Sequence, residues 1–177
     1  MPRQVAFLRA INVGGHVVKM DRLRMLFEEA GLEGVETFIA SGNVMFDAPR
    51  GAPAPLERRI AKHLQEALGY EVATFVRDAK ELARIVAHDP FAADGPARSL
   101  YVGMTTAEPS RDAAARLMAL SGDDDLFHVH AAEIYWGRRG GFSDSRYTGA
   151  FLERTLGMPI TMRSINTIRR LSARMPA

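Results

Sequence analysis

The 177-residue chain has no cysteine. Disulfides, thiolate zinc sites and cysteine nucleophiles are therefore excluded. Lysine is scarce as well: the 23 basic residues are 20 Arg and 3 Lys. A GC-rich coding sequence accounts for that bias without any binding site. No apolar run approaches the ~20 residues needed to span a bilayer. The longest early run, residues 5–11, is broken by Arg9. The first residues lack a basic leader, an apolar stretch and a cleavage site in series, so a secretory signal is not expected, and the expected location is the cytoplasm.

What is present is the composition of a globular protein, 47% apolar and 25% charged, which argues against global disorder. The length allows one ordinary domain or two small ones. The formal charge of +2 is unevenly placed. Residues 138–177 carry eight Arg against Asp144 and Glu153, and residues 1–24 carry five basic residues against Asp21. Both ends are positive and the middle is acidic, a distribution that suits either an anion-facing surface or solvated helix faces.

Residues 4–11 alternate as a strand, with Val5, Phe7, Arg9 and Ile11 on one face. Asp21 is placed to cap a helix whose apolar face is Leu23, Leu26, Phe27 and Ala30. Residues 35–41 and 44–46 read as strands joined by a tight Gly42-Asn43 hairpin. After the Pro- and Gly-rich loop of residues 51–55, Leu56, Ile60, Leu64 and Leu68 mark a helix, and residues 71–76 a strand. That order, β-α-β-β-α-β, is ferredoxin-like. A further helix capped by Asp78 carries Leu82, Ile85 and Val86. Residues 90–96 concentrate Pro, Gly, Ala and Asp as a linker does.

The second half repeats the plan: strand 100–105, helix 110–120, strands 126–129 and 134–136, helix 147–156, strand 160–163, and a last helix capped by Ser164. Gly69 and Gly157 each end the second helix of a half. Arg77 and Arg163 each precede a cap residue and a helix, which favours a structural role for both, such as a bridge to a carbonyl. The expected fold is α+β: tandem ferredoxin-like (βαββαβ) halves with an intervening helix and a C-terminal helix. The expected domains are residues 1–90 and 97–177, closely packed.

The most informative motif is Arg9-Ala10-Ile11-Asn12-Val13-Gly14-Gly15-His16, between the first strand and the first helix. Adjacent glycines allow positive φ and close approach of a ligand. Backbone N–H groups before a helix start favour anions, and Arg9 and Lys19 add positive charge. The spacing is neither that of a P-loop nor GxGxxG.

Three segments carry a family resemblance: Phe7-Leu8-Arg9-Ala10-Ile11-Asn12-Val13-Gly14-Gly15, Ser41-Gly42-Asn43-Val44-Met45-Phe46 and Thr161-Met162-Arg163-Ser164-Ile165-Asn166-Thr167. Together they resemble the signatures of the bacterial "domain of unknown function 1697" family, across nearly the whole chain. The family pattern has Gly where this chain has Ala10, and Asn and Trp where it has Ser164 and Ile165. The resemblance implies a two-part α+β fold and brings no established reaction. It also groups Arg9, Asn12, Gly14, Gly15, Ser41, Asn43, Arg163, Asn166 and Thr167 as polar or glycine residues at strand ends and helix starts. The end of the first strand and the hairpin between the second and third strands are expected at different positions along the sheet, so the sequence does not bring these motifs together.

Other clusters have plainer readings. His128 and His130 share a strand face, and a two-residue turn at Ala131-Ala132 sets His128 beside Tyr135 and His130 beside Glu133. A solvated face is favoured there over a metal clip. Asp123, Asp124 and Asp125 read as an acidic turn. Ser143 and Ser145 have no histidine placed to activate them, and His16 reads as a surface residue. Tyr101, Tyr135 and Trp136 either stack nucleic-acid bases or belong to the core.

The reading expects a small anionic ligand as partner, at residues 12–15 with Arg9, Lys19, Ser41, Asn43, Arg163 and Asn166. A basic nucleic-acid-binding module and a non-catalytic interaction or scaffold domain are the alternatives. No cofactor, no metal and no membrane partner are expected. No catalytic residue, reaction or oligomeric state is assigned.

Overall fold

The computed structural model describes residues 1–12, 14–39, 42–94 and 99–176. Its elements run β1 (Arg3–Leu8), α1 (Met20–Glu29), β2 (Glu33–Thr37), β3 (Asn43–Asp47), α2 (Pro53–Leu68), β4 (Thr74–Asp78) and α3 (Ala79–Ala87). They continue as β5 (Ser99–Met104), α4 (Arg111–Met118), β6 (Asp125–His130), β7 (Glu133–Arg138), α5 (Gly149–Leu156), β8 (Thr161–Ser164) and α6 (Ile165–Ala173). The chain divides into two units, Met1–Ala83 with Leu171–Ala177, and Arg84–Arg170.

In the first unit a four-stranded sheet has the order β2-β3-β1-β4. All its pairings are antiparallel, with Phe7 opposite both Asn43 and Phe75. The second unit holds the order β6-β7-β5-β8, also antiparallel. Each is the sheet of a βαββαβ ferredoxin-like half, with α3 between the halves and α6 after the second. The repeated element order anticipates this architecture.

Period-2 and period-3.6 patterning explains the cores. In the first unit Ala6, Leu8, Val44, Phe46 and Val76 of the sheet join Leu23, Leu26 and Phe27 of α1 and Ile60 and Leu64 of α2 in one buried cluster. In the second, Leu117, Phe127, Ile134, Trp136, Tyr147, Leu152, Leu156 and Ile160 do the same. Each large side chain so buried contributes ~1.5–3 kcal/mol of transfer free energy. Tyr135 and Trp136 are fully buried, and Trp136 stacks on Phe127 with ring centroids 5.4 Å apart. They are core residues, not a platform for bases. Among the described residues no helix is long and apolar enough to cross a membrane.

Several local expectations are corrected. β1 stops at Leu8 instead of reaching Ile11, because Ala10 takes φ +57° and turns the chain out of the sheet. α1 begins at Met20 with Lys19 at its N-cap, so Asp21 lies in the first turn and is not the cap. α2 begins at Pro53, inside the segment expected to be loop, since proline's fixed φ suits the first helical position. Gly42 and Asn43 do not form a two-residue turn between strands. β2 ends at Thr37, Asn43 is already the first residue of β3, and the Phe38 N–H donates to the Asn43 carbonyl at 2.9 Å.

Each unit pairs some of its buried charges. Asp125 accepts from Arg138 Nη1 at 2.9 Å and from Trp136 Nε1 at 2.7 Å, so the third aspartate of the acidic run is a buried strand residue and not part of a turn. Arg84 Nη2 meets Glu133 at 2.9 Å. In the first unit Glu57 accepts from the Val76 N–H at 2.8 Å and lies 4.0 Å from Arg77 Nη1. Burial pushes the Glu57 carboxyl up, against the opposing pull of that backbone bond and of Arg77.

Candidate functional site

Antiparallel pairing of β1 with β3 brings the end of β1 to the start of β3, so the β1–α1 connection and the β2–β3 connection lie side by side. The sequence reading placed them apart; the register Phe7↔Asn43 places them together. The Leu8 N–H donates to the Gly42 carbonyl at 2.8 Å, and the Arg9 N–H donates to Ala73 at 2.9 Å. A Cβ on Gly42 would sit 3.0 Å from Ile11 Cγ2 and 3.2 Å from Leu8 Cβ. Glycine is therefore required there both for its φ of +78° and for the close approach of the loop.

The β1–α1 loop is tied down from within. Asn12 Oδ1 accepts from the Val18 N–H at 2.7 Å. Tyr70 donates its hydroxyl to the Ile11 carbonyl at 3.0 Å and stacks its ring on His16, with centroids 3.8 Å apart and planes 21° from parallel. Burial pushes the Tyr70 phenol up, which keeps it a donor at neutral pH. Sequence reading missed Tyr70. Its only signal was an aromatic residue just after Gly69, and its partners lie about sixty residues earlier.

Gly14 and Gly15 stand at φ +67° and +83° with open space where a Cβ would be. They are glycine for backbone conformation, not for packing. Ala10 and Ile39 also occupy the left-handed region, at φ +57° and +58°. For the β-branched Ile39, which is 43% exposed, this is strained. Lys19 at the α1 N-cap gives no side-chain hydrogen bond to the helix, so the first-turn donors of α1 have no side-chain cap from it.

The sequence-identified residues separate into two sets. Arg9, half-buried, and Asn12, Gly14, Gly15 and Lys19, exposed, lie on the β1–α1 loop, and Asn43 is beside it at the head of β3. Asn43 is buried and donates Nδ2 to the Phe38 carbonyl at 3.0 Å, closing its own loop. Ser41 lies outside the described residues. Arg163 and Asn166 belong to the second unit. Arg163 is buried opposite Val102 and donates Nη1 to Thr161 Oγ1 at 2.7 Å and to the Met162 carbonyl at 2.9 Å. Burial lowers its pKa to about 10, which leaves it a cation at neutral pH. Asn166 is exposed and accepts from Arg169. Thr167 N–H is capped by Ser164 Oγ at 3.3 Å, as expected of that serine.

The histidine register is as the turn spacing predicts, His128 opposite Tyr135 and His130 opposite Glu133. His88 joins them from the end of α3, its ring 4.5 Å from that of His130 and 5.7 Å from that of His128. Among the described residues no group of three or more His, Cys, Asp or Glu side chains is arranged to hold a metal ion. Ser145 Oγ accepts from the Tyr147 N–H at 3.0 Å, a turn-forming bond.

A family model described as "Protein of unknown function (DUF1697)" matches residues 1–135. No curated protein matches the sequence. Among solved structures, a conserved bacterial protein of Streptococcus pneumoniae is similar with a TM-score of 0.76 at 23% identity, covering 99% of this chain and 98% of that one. At that identity the likeness is one of fold.

Proposed function

The chain belongs to the DUF1697 family, and from the geometry of its first unit we propose that it binds a small anion at the loop of residues 12–15. The observation that carries this reading is the start of α1, where the N-cap residue makes no side-chain cap bond. Lys19 occupies the N-cap without capping, while Asn12, the nearby residue able to cap, is committed to Val18. The helix N–H groups and the positive end of the helix dipole follow in the chain shortly after Gly14 and Gly15, and Arg9 and Lys19 add positive charge, which supports an anion there. Asp21 in the first turn opposes a polyanion such as a nucleoside triphosphate, so a compact anion such as inorganic phosphate or a carboxylate suits the site best.

The test is thermal stability against millimolar phosphate, sulfate and nucleotides. A ligand at ~100 times its dissociation constant adds about 2.7 kcal/mol. The Gly14→Val variant, which cannot hold φ +67° without strain, should lose that gain and stay folded because the position is exposed. Equal responses from the wild type and the variant, or none from either, would remove the proposal.

A further inference from the structure

The start of β1, ~17 Å along the strand from the loop just described, borders a cavity of about 500 Å³. It is lined by three segments distant in sequence: Pro2, Arg3 and Gln4; Arg50, Gly51 and Pro53; and Val76 with residues 78–81. Pro176 also lines it. The volume is that of a small-molecule site. Its walls combine apolar surface, from the prolines and Ala79, with charged groups that fall into two kinds.

Three of the charged groups are already engaged. Arg3 pairs with Glu36 at 3.1 Å and Asp47 at 3.5 Å. Asp78 and Glu81 form a reciprocal cap at the start of α3: the Glu81 N–H donates to Asp78 Oδ1 at 2.8 Å, and the Asp78 N–H to Glu81 Oε2 at 2.9 Å. Arg50 and Lys80 are different. Neither has an ion-pair or hydrogen-bond partner among the described residues, and both line the cavity. Buried Gln4 braces the wall by donating Nε2 to the Pro49 carbonyl at 3.3 Å.

We propose that this cavity is a second binding site, for a small monocarboxylate with an apolar body. Arg50 offers the planar fork that matches a carboxylate, and Lys80 a second positive charge. The apolar body lies against Pro2, Pro53 and Ala79. The carboxylates of Asp78 and Glu81 stand in the same wall and repel further negative charge, which selects a monoanion over a phosphate dianion. α2 also begins at this cavity, but Pro53 at its first position has no N–H to give. The anion is therefore held by side chains, in contrast to the backbone donors of the β1–α1 loop.

The experiment is an amide NMR titration of the whole chain with phenylacetate, with phenethylamine as a cation of like shape and with inorganic phosphate. Phenylacetate should shift residues 50, 51 and 79–81 saturably. The Arg50→Gln/Lys80→Gln double variant, altered at exposed positions only, should keep its spectrum elsewhere and bind about tenfold more weakly or worse. The proposal is overturned by no shift at these residues up to about 10 mM phenylacetate. It is equally overturned by undiminished binding to the double variant, by phenethylamine binding as well as phenylacetate, or by phenylacetate shifts confined to residues 12–19. Because the loop reading is probed with phosphate and the Gly14 variant, either site can fail while the other stands.

Discussion

Arg77 and Arg163 are the same residue in two copies of one device. Each is buried beside the central strand of its sheet, Arg77 opposite Val5 and Arg163 opposite Val102. Each donates Nη1 to the carbonyl just before it, Val76 at 2.8 Å and Met162 at 2.9 Å, and each precedes the residue that caps the next helix. The guanidinium clasps the strand end where the chain turns into a helix. The two copies differ in their second partner, Glu57 for Arg77 and Thr161 for Arg163.

That difference gives the first prediction. Arg77→Met leaves Glu57 buried without its cation and should cost about 3 kcal/mol in urea unfolding. Glu57→Gln keeps an acceptor for the Val76 N–H and removes a charge that burial already disfavours. Its loss should be less than half as large. Equal losses would show that the pairing is not what holds the site.

A second prediction concerns Asp125, which serves both Arg138 and Trp136 Nε1. Asp125→Ala strands a buried guanidinium and a buried indole N–H, and should destabilise the second unit by about 3 kcal/mol or more. The chain's one tryptophan makes the unfolding readable by emission. A midpoint within experimental scatter of the wild type would refute the role.

Acid sensitivity should arise at the histidine cluster. Burial, followed by neighbouring His130, holds both His88 and His128 below their ordinary value of about 6.5. Arg84 pushes His88 the same way, and Asp89 opposes it. His88 Nε2 is buried without a hydrogen-bond partner among the described residues. The folded state thus binds fewer protons than the unfolded chain. Stability is fully present above about 6.5, falls as pH drops below that value, and levels off below the lowered native values. Melting curves at pH 7.5 and 5.5 should show the loss, and His88→Leu should reduce it. An unchanged pH response in that variant would move the effect elsewhere.

Within the candidate loop, Asn12→Ala removes the acceptor for the Val18 N–H and should cost about 1 kcal/mol, or ~3 °C in midpoint. Asn12→Asp retains the acceptor and should retain most of the stability. The alanine variant should also respond less to phosphate, since the loop no longer holds its shape. A full phosphate response in a destabilised variant would separate loop shape from binding.

Element order, duplication and even the pairing of His128 with Tyr135 were legible because local patterning fixes them: alternation sets the strands, and a two-residue turn sets the register. The extent of β1 and of the β2–β3 loop was not. Both depend on left-handed residues, Ala10 and Ile39, whose intrinsic preferences point the other way. The meeting of the first loop with Gly42 was implicit in the antiparallel order of the sheet, but it takes the observed register to see it. Tyr70, Glu57 and the cavity at Arg50 and Lys80 left no motif, since their partners are brought from separate segments by packing alone.

The division of the chain bears on the order in which it is made. The second unit, Arg84–Arg170, is one continuous stretch, whereas the first takes residues from both sides of it. Arg174 pairs with Glu36 and lies over the Phe38 ring, and Met175 is buried. During vectorial synthesis the first sheet is translated first yet remains without these contacts until residues 171–177 follow, after the whole of the second unit. The first sheet, translated ahead of the second unit, is thus completed after it, and its β2 edge waits on a segment encoded more than 130 residues downstream.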